Sequence, residues 1–214
     1  MAKFNPKKTN ELRGVIGNVV FTHWRGTPII KSKPRKSTKP PTPSQLFQRA
    51  KMKTVMSFLR PYRVVVNKYF DDPNQYNSLH NVANSYFLIQ ALEIEGEDIK
   101  IAIDKVILTK GGIRGLEEVQ IGLEADNKIK LSWKYTLNKA GTHPDDELYL
   151  AVYAPEKNSG MLWLNIAKRQ ETQITIPLQE PYTDTPLHFW AGFIAHDGSQ
   201  ASWSCYVGTV YFNI

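Results

Sequence analysis

The sequence predicts an α+β fold: an N-terminal β-hairpin with a basic arm, two helices, and a C-terminal antiparallel β-sandwich. Three observations lead there. β-forming residues punctuated by glycine fill residues 12–33, helix-start signals stand at Thr42–Gln45 and Asp72–Gln75, and from Ile99 onward short strand-like segments recur with turn residues between them. The expected division is 1–98, a basic N-terminal region, and 99–214, the sandwich domain.

In the hairpin, Val15, Ile16, Val19, Val20, Phe21 and Trp24 are β-formers, and Arg25-Gly26-Thr27 is the expected turn before the extended pattern resumes at Pro28–Lys31. The segment 31–44, KSKPRKSTKPPTPS, holds five bases and four prolines and no apolar residue beyond proline. Such a stretch builds no core and runs extended.

The first helix is expected over 43–59. Thr42 is placed to cap it, Pro43 suits its first turn, Gln45 completes a capping box, and Pro61 stops or kinks it. Its apolar residues split between a Leu46, Phe47, Ala50 face and a Met52, Val55, Leu59 face, so contacts on two sides are expected. A second helix is expected over 73–92, with Tyr76, Leu79, Ala83, Tyr86, Phe87 and Ala91 at helical spacing and Gly96 as terminator.

Strands are expected at 100–108, 118–125, 128–136, 147–154, 161–168, 172–177, 187–195 and 201–212. Alternation is explicit in Lys128–Tyr135, where Ile129, Leu131, Trp133 and Tyr135 face one way and Lys128, Lys130, Ser132 and Lys134 the other. The Trp133 strand, the E-L-Y-L-A-V-Y strand after it and the terminal pair resemble a fibronectin type III or immunoglobulin-like module.

Further upstream, Arg13-Gly14, Gly17-Asn18-Val19-Val20, Trp24-Arg25-Gly26, Lys33-Pro34, Pro41-Thr42 and Gln48-Arg49 resemble the N-terminal signature of an uncharacterised bacterial family, mostly from Bacteroidetes, filed as a domain of unknown function. The resemblance spans nearly the whole chain and implies no activity, ligand or catalytic residue.

Charge divides unevenly. Residues 1–70 hold 16 of the 27 Lys and Arg with one acid, Glu11, whereas residues 71–214 hold 11 bases and 19 acids. A +15 region beside a −8 region suggests two different jobs, the basic one aimed at a polyanion or an acidic partner. The binding candidates are Lys31, Lys33, Arg35, Lys36 and Lys39 on the arm and Arg49, Lys51 and Lys53 on the adjoining helix. Trp24 and Phe47 could add stacking. A solvated connector is the bland alternative. A protein partner or self-association is favoured over nucleic acid, which stands as the first alternative.

A carbohydrate site on the sandwich is the second alternative. Its candidates are Trp133, Tyr149, Tyr153, Trp163, Trp190 and Trp203. Trp133 is expected in the core, whereas Trp190, sharing strand parity with His188 and His196, is the aromatic expected at a surface. For metal the expectation is none. His188 and His196 lie too far apart along a strand, and His143-Pro144-Asp145-Asp146-Glu147 lacks the spacing of a calcium loop. Cys205 reads as a small buried hydrophobe, and the Gly111-Gly112-Ile113-Arg114-Gly115 turn alone is weak support for phosphate binding.

No nucleophile elbow, P-loop or dinucleotide fingerprint is present. The single cysteine excludes an internal disulfide, Met1–Asn10 has no apolar core after it, and no apolar run has membrane-helix length. The expected protein is a cytoplasmic, non-catalytic structural or adaptor protein without cofactor or membrane contact, whose basic N-terminal region mediates assembly or docking.

Overall fold

The computed structural model describes residues 2–3, 13–24, 27–35, 38–70, 78–124, 128–136, 141–178 and 185–211. The chain divides into two compact units, Met1–Thr42 and Pro43–Ile214, so the break falls between the arm and the first helix, and the expected boundary at 98/99 lies inside the second unit.

The first unit is a four-stranded antiparallel sheet of β1 (Ala2–Lys3), β2 (Gly14–Ile16), β3 (Val19–Trp24) and β4 (Thr27–Ser32), in the order β1-β4-β3-β2. The expected hairpin is β3–β4, closing where Trp24 pairs Thr27. A second hairpin joins β2 to β3, Ile16 opposite Val19. Gly17, at φ 56°, supplies the left-handed conformation needed at the start of that two-residue turn.

The second unit opens with α1 (Pro43–Leu59), at the expected bounds. Its burial differs from the expectation of contacts on two sides. Val55, Phe58 and Leu59 are buried while Leu46 and Met52 are exposed, so only the C-terminal half packs, along one stripe. The chain turns at Arg60–Tyr62 and re-enters a helix that the sequence pattern does not reveal, α2 (Arg63–Tyr69), before α3 (Leu79–Gln90). The cap expected at Asp72–Gln75 lies outside the described residues. The described helix starts at Ser78, whose side chain accepts from the Asn81 N–H.

Gly96 does not terminate a helix. After Gln90 the chain swings into β5 (Leu92–Glu95), which pairs with β6 (Asp98–Ile101), and Gly96 at φ 63° makes their turn. The strand expected over 100–108 ends at Ile101 and gives way to a 3₁₀ turn at Ile103–Lys105.

The remaining strands are β7 (Glu117–Glu124), β8 (Lys128–Lys134), β9 (Glu147–Ala154), β10 (Ser159–Lys168), β11 (Gln173–Pro177), β12 (Pro186–Ile194) and β13 (Cys205–Tyr211). They form one sheet in the order β11-β8-β7 and another in the order β10-β9-β12-β13, all antiparallel. The two sheets share a core in which Ile129, Leu131 and Trp133 of β8 meet Leu148, Leu150 and Val152 of β9 and Phe189 and Phe193 of β12. Trp133 is in that core, as expected.

The opposite face of the four-stranded sheet is covered as well. Tyr149, Ala151, Tyr153 and Trp190 pack against Val55, Phe58, Tyr62, Val66 and Phe87 of the helical segment. The second unit is therefore three layers, helices on sheet on sheet, with β9 and β12 buried on both faces. That double burial explains why the helices do not separate from the sandwich: an interior strand pair whose both faces are apolar needs a cover on each. Tyr62, fully buried, donates to the Val152 carbonyl and ties the helical layer to β9.

Candidate functional site

The cationic candidates divide between the two units. Lys31 is the penultimate residue of β4, and Lys33, Arg35 and Lys39 follow the strand in the first unit, all exposed; Lys36 lies outside the described residues. Arg49 and Lys53 are exposed on α1 in the second unit, and the Lys51 ammonium lies 4.9 Å over the Phe47 ring, so Phe47 already carries a cation. Among the described residues no carboxylate pairs with Lys31, Lys33, Arg35, Arg49, Lys51 or Lys53.

The β-ladder places Lys31 in a defined setting. Val15 pairs with Val20 and Val20 with Lys31, so the three share one face of the sheet, and Trp24 has the parity of Val20. Trp24 is 62% exposed and Val15 55%. Behind this strand end, Asn18, Ser32, Lys33, Pro34 and Arg35 line a cleft of about 330 Å³, closed by the hydrogen bond from the Lys33 N–H to the Asn18 carbonyl. The face thus combines unneutralised cations with exposed aliphatic and aromatic surface.

Trp190 is a correction. It is fully buried, not at a surface. The expected parity holds, since Trp190 lies opposite Phe189 and Phe193, but its face looks into the helical layer, with Phe58 6.2 Å and Tyr206 5.6 Å from its ring. No sugar can stack on it. Trp203 is exposed, at 50%, in the segment between the bridge residues Ala201–Ser202 and β13, as are Tyr206 and Tyr211 on that strand. The Lys110 ammonium lies 5.0 Å over its ring.

A second constellation is invisible in the sequence. His143, Asp146 and His196 bring side-chain donor atoms within 4.8 Å of one another. His143 precedes β9 and His196 follows β12; the pairing of Glu147 with Ile194 sets these chain ends side by side. Only strand register, which spacing does not reveal, could have shown it. Asp146 is buried, accepts the His143 N–H at 3.0 Å and the Arg169 Nε–H at 2.9 Å through Oδ2, and accepts the His196 N–H through Oδ1.

Metal binding fits this group poorly. The two imidazoles are stacked 3.9 Å apart at 22°, so their in-plane lone pairs run side by side and do not converge. His143 Nδ1 already accepts the Asp145 N–H, and Arg169 neutralises the carboxylate. The arrangement is a clasp tying the loop before β9 to the ends of β10 and β12. Beside it, Lys168 holds the exposed Asp145 carboxyl below its ordinary range by hydrogen bonding and charge.

Burial pushes the Cys205 thiol up to about 11, which keeps it protonated at neutral pH. The glycine-rich turn has a packing explanation. A Cβ at Gly111 would stand 2.3 Å from the Ala201 carbonyl oxygen, so glycine there allows two backbones to touch.

One further titratable group sits among hydroxyls. His188 Nδ1 lies 2.9 Å from Tyr206 Oη and 3.1 Å from Thr209 Oγ1. Desolvation lowers its pKa below the ordinary 6.5. The unfolded chain therefore takes up this proton first as pH falls, so its contribution to stability is complete above about 6.5 and declines as pH drops from there towards the lower folded value. His188→Gln should lose less stability than the wild type between pH 7.5 and 5.5, read as the shift in urea midpoint. Equal shifts in the two proteins would refute the assignment.

A model of a family of unknown function, DUF6266, matches residues 11–208. Among solved structures, the chain is similar to the fibronectin type III domain of human contactin 1, at 13% identity and a TM-score of 0.36, covering 49% of this chain and 82% of that one. It is also similar to the fibronectin type III domain of the human collagen alpha-1(XX) chain, at 18% identity and a TM-score of 0.34, covering 48% and 87%. No curated protein matches the chain.

Proposed function

Because the chain belongs to DUF6266, a family of unknown function, its role has to be read from its own residues, and we propose that it is a cytoplasmic, non-catalytic structural or adaptor protein that docks through its basic first unit. One observation carries this reading: Lys31, Lys33 and Arg35 stand exposed with no carboxylate partner among the described residues, on a sheet that also exposes Val15, Ile16 and Trp24.

The apolar component favours protein over nucleic acid. Phosphate contacts call for cations and polar donors, whereas exposed aliphatic side chains are stabilised only by an apolar counterpart. Support for a non-catalytic role comes from the protonated Cys205, the packing role of Gly111 and the neutralised Asp146. Among the described residues no helix is long and apolar enough to cross a membrane.

The test is affinity capture from native lysate with the full chain beside two variants, Lys31→Glu/Lys33→Glu/Arg35→Glu and Val15→Ser/Ile16→Ser. Both are expected to lose the wild-type partners. Unchanged capture by the charge-reversed chain would end the proposal. Tight, steeply salt-dependent binding of a labelled single strand or duplex, unaffected by Val15→Ser/Ile16→Ser, would replace it with the nucleic-acid reading.

A further inference from the structure

The same polypeptide displays a surface complementary to its basic face. In the β5–β6 hairpin, every residue from Glu93 to Asp98 is exposed, and four of those six, Glu93, Glu95, Glu97 and Asp98, are acids. The ladder sets Glu95 opposite Asp98 and Glu93 opposite Lys100, which places these side chains on one face. Lys100 closes on Asp98 at 2.7 Å, and among the described residues Glu93, Glu95 and Glu97 form no ion pair. Ile94, on the other face, is 42% exposed.

The first unit is the reverse. Residues 1–42 hold ten bases against the single Glu11. Its face bearing Lys31, Val15 and Trp24 is exposed at strand β2, the outer strand of the sheet. An edge strand with exposed aliphatic side chains is a ready template for another chain.

Building on the docking role above, we propose that the occupant of the basic sheet face is a second copy of this chain, received on the acidic β5–β6 hairpin. Each copy carries both halves of the contact, and a reciprocal pair, the basic face of each on the acidic hairpin of the other, satisfies both halves in a dimer. Reciprocity doubles the area. A stable interface buries roughly 800 Å² per partner, and a second contact adds to what one hairpin can cover. Opposed charges fix the orientation and speed encounter, and the apolar side chains between them supply burial.

Sedimentation velocity of the full chain tests this with two variants, Glu93→Lys/Glu95→Lys/Glu97→Lys and Lys31→Glu/Lys33→Glu/Arg35→Glu. The wild type is expected to dimerise at low salt and to dissociate as salt screens the contact. Each variant alone presents like charges to itself, and its dimer dissociation constant should rise at least about ten-fold, the equivalent of about 1.4 kcal/mol. Mixing the two variants should restore the dimer, because the positive hairpin of one meets the negative face of the other; this recovery also shows that both variants fold.

A monomeric wild type at low salt overturns the inference, as does a variant that dimerises unchanged or a mixture that stays monomeric. A monomeric wild type whose lysate partners vanish in the Lys31→Glu/Lys33→Glu/Arg35→Glu variant rejects self-docking and leaves the docking role standing. If those partners persist, both fall.

Discussion

Asp146→Ala is expected to destabilise the second unit by about 3–5 kcal/mol, the usual consequence of stranding one charge of a buried pair. Asp146 and Arg169 are both nearly inaccessible, at 2% and 3% exposure. The guanidinium donates to Asp146, to the Arg114 carbonyl at 2.7 Å and to the Gly115 carbonyl at 3.4 Å, and stacks 3.9 Å from the Phe193 ring centroid. Burial lowers the Arg169 pKa, and the adjacent carboxylate opposes that shift.

Removing Asp146 leaves the guanidinium desolvated with carbonyl oxygens alone. It also orphans the His143 and His196 N–H groups that the carboxylate accepts. The double variant Asp146→Leu/Arg169→Met should lose less than Asp146→Ala, because no unpaired charge is then buried. Urea unfolding of the three proteins decides it. A loss below about 1 kcal/mol for Asp146→Ala would mean that the pair does not act as a clasp.

Trp190→Ala is the second large effect, about 3–5 kcal/mol. The side chain is fully enclosed, with Phe58, His188 and Tyr206 around it at ring distances of 6.2, 6.3 and 5.6 Å. Truncation opens a cavity between the helical layer and β12, at a point where both faces of the strand are already committed. Trp190→Phe should lose less, since the indole Nε1 has no hydrogen-bond partner among the described residues and phenylalanine gives up volume alone. Thermal unfolding reads both variants. The result also separates packing from recognition. A sugar platform would lose ligand and keep its melting temperature, whereas a core residue loses melting temperature first.

These effects concern residues whose importance the sequence announces unevenly. Helix α1 is legible to the residue, because Thr42, Pro43 and Pro61 are local signals and local signals survive any tertiary context. The β9 strand is legible at both ends for a similar reason, a run of β-formers between turn-forming residues. Helix α2 is not. Its R-V-V-V-N-K-Y core is β-branched, and it is helical because Val65, Val66 and Tyr69 pack under the sheet. The strand expected to begin at Ala201 begins instead at Cys205, since Ala201 and Ser202 form only isolated bridges, to Ile194 and Ile113.

The misplacement of Trp190 has a visible clue. E-L-Y-L-A-V-Y-A and L-H-F-W-A-G-F-I are nearly continuous apolar runs, and strands covered on one side alternate more cleanly. Alternation gives the parity of each residue, never the cover on its face. The Asp146 clasp leaves no clue of that kind, because His143, Arg169 and His196 are held together by strand register and by long-range pairing.

By itself, then, the amino-acid order determined the elements that short-range chemistry controls: the first helix, the alternating strands, the basic arm and the opposite net charge of residues 71–214. Tertiary structure alone decided that the helices are the third layer of the sandwich, that Trp190 is interior, and that Lys31 keeps its charge exposed while Arg169 surrenders its own to Asp146. The physical reason is range. Caps and turns act within a few residues, while the cover on a sheet face and the partner of a charge are set by segments that meet only after the chain has closed on itself.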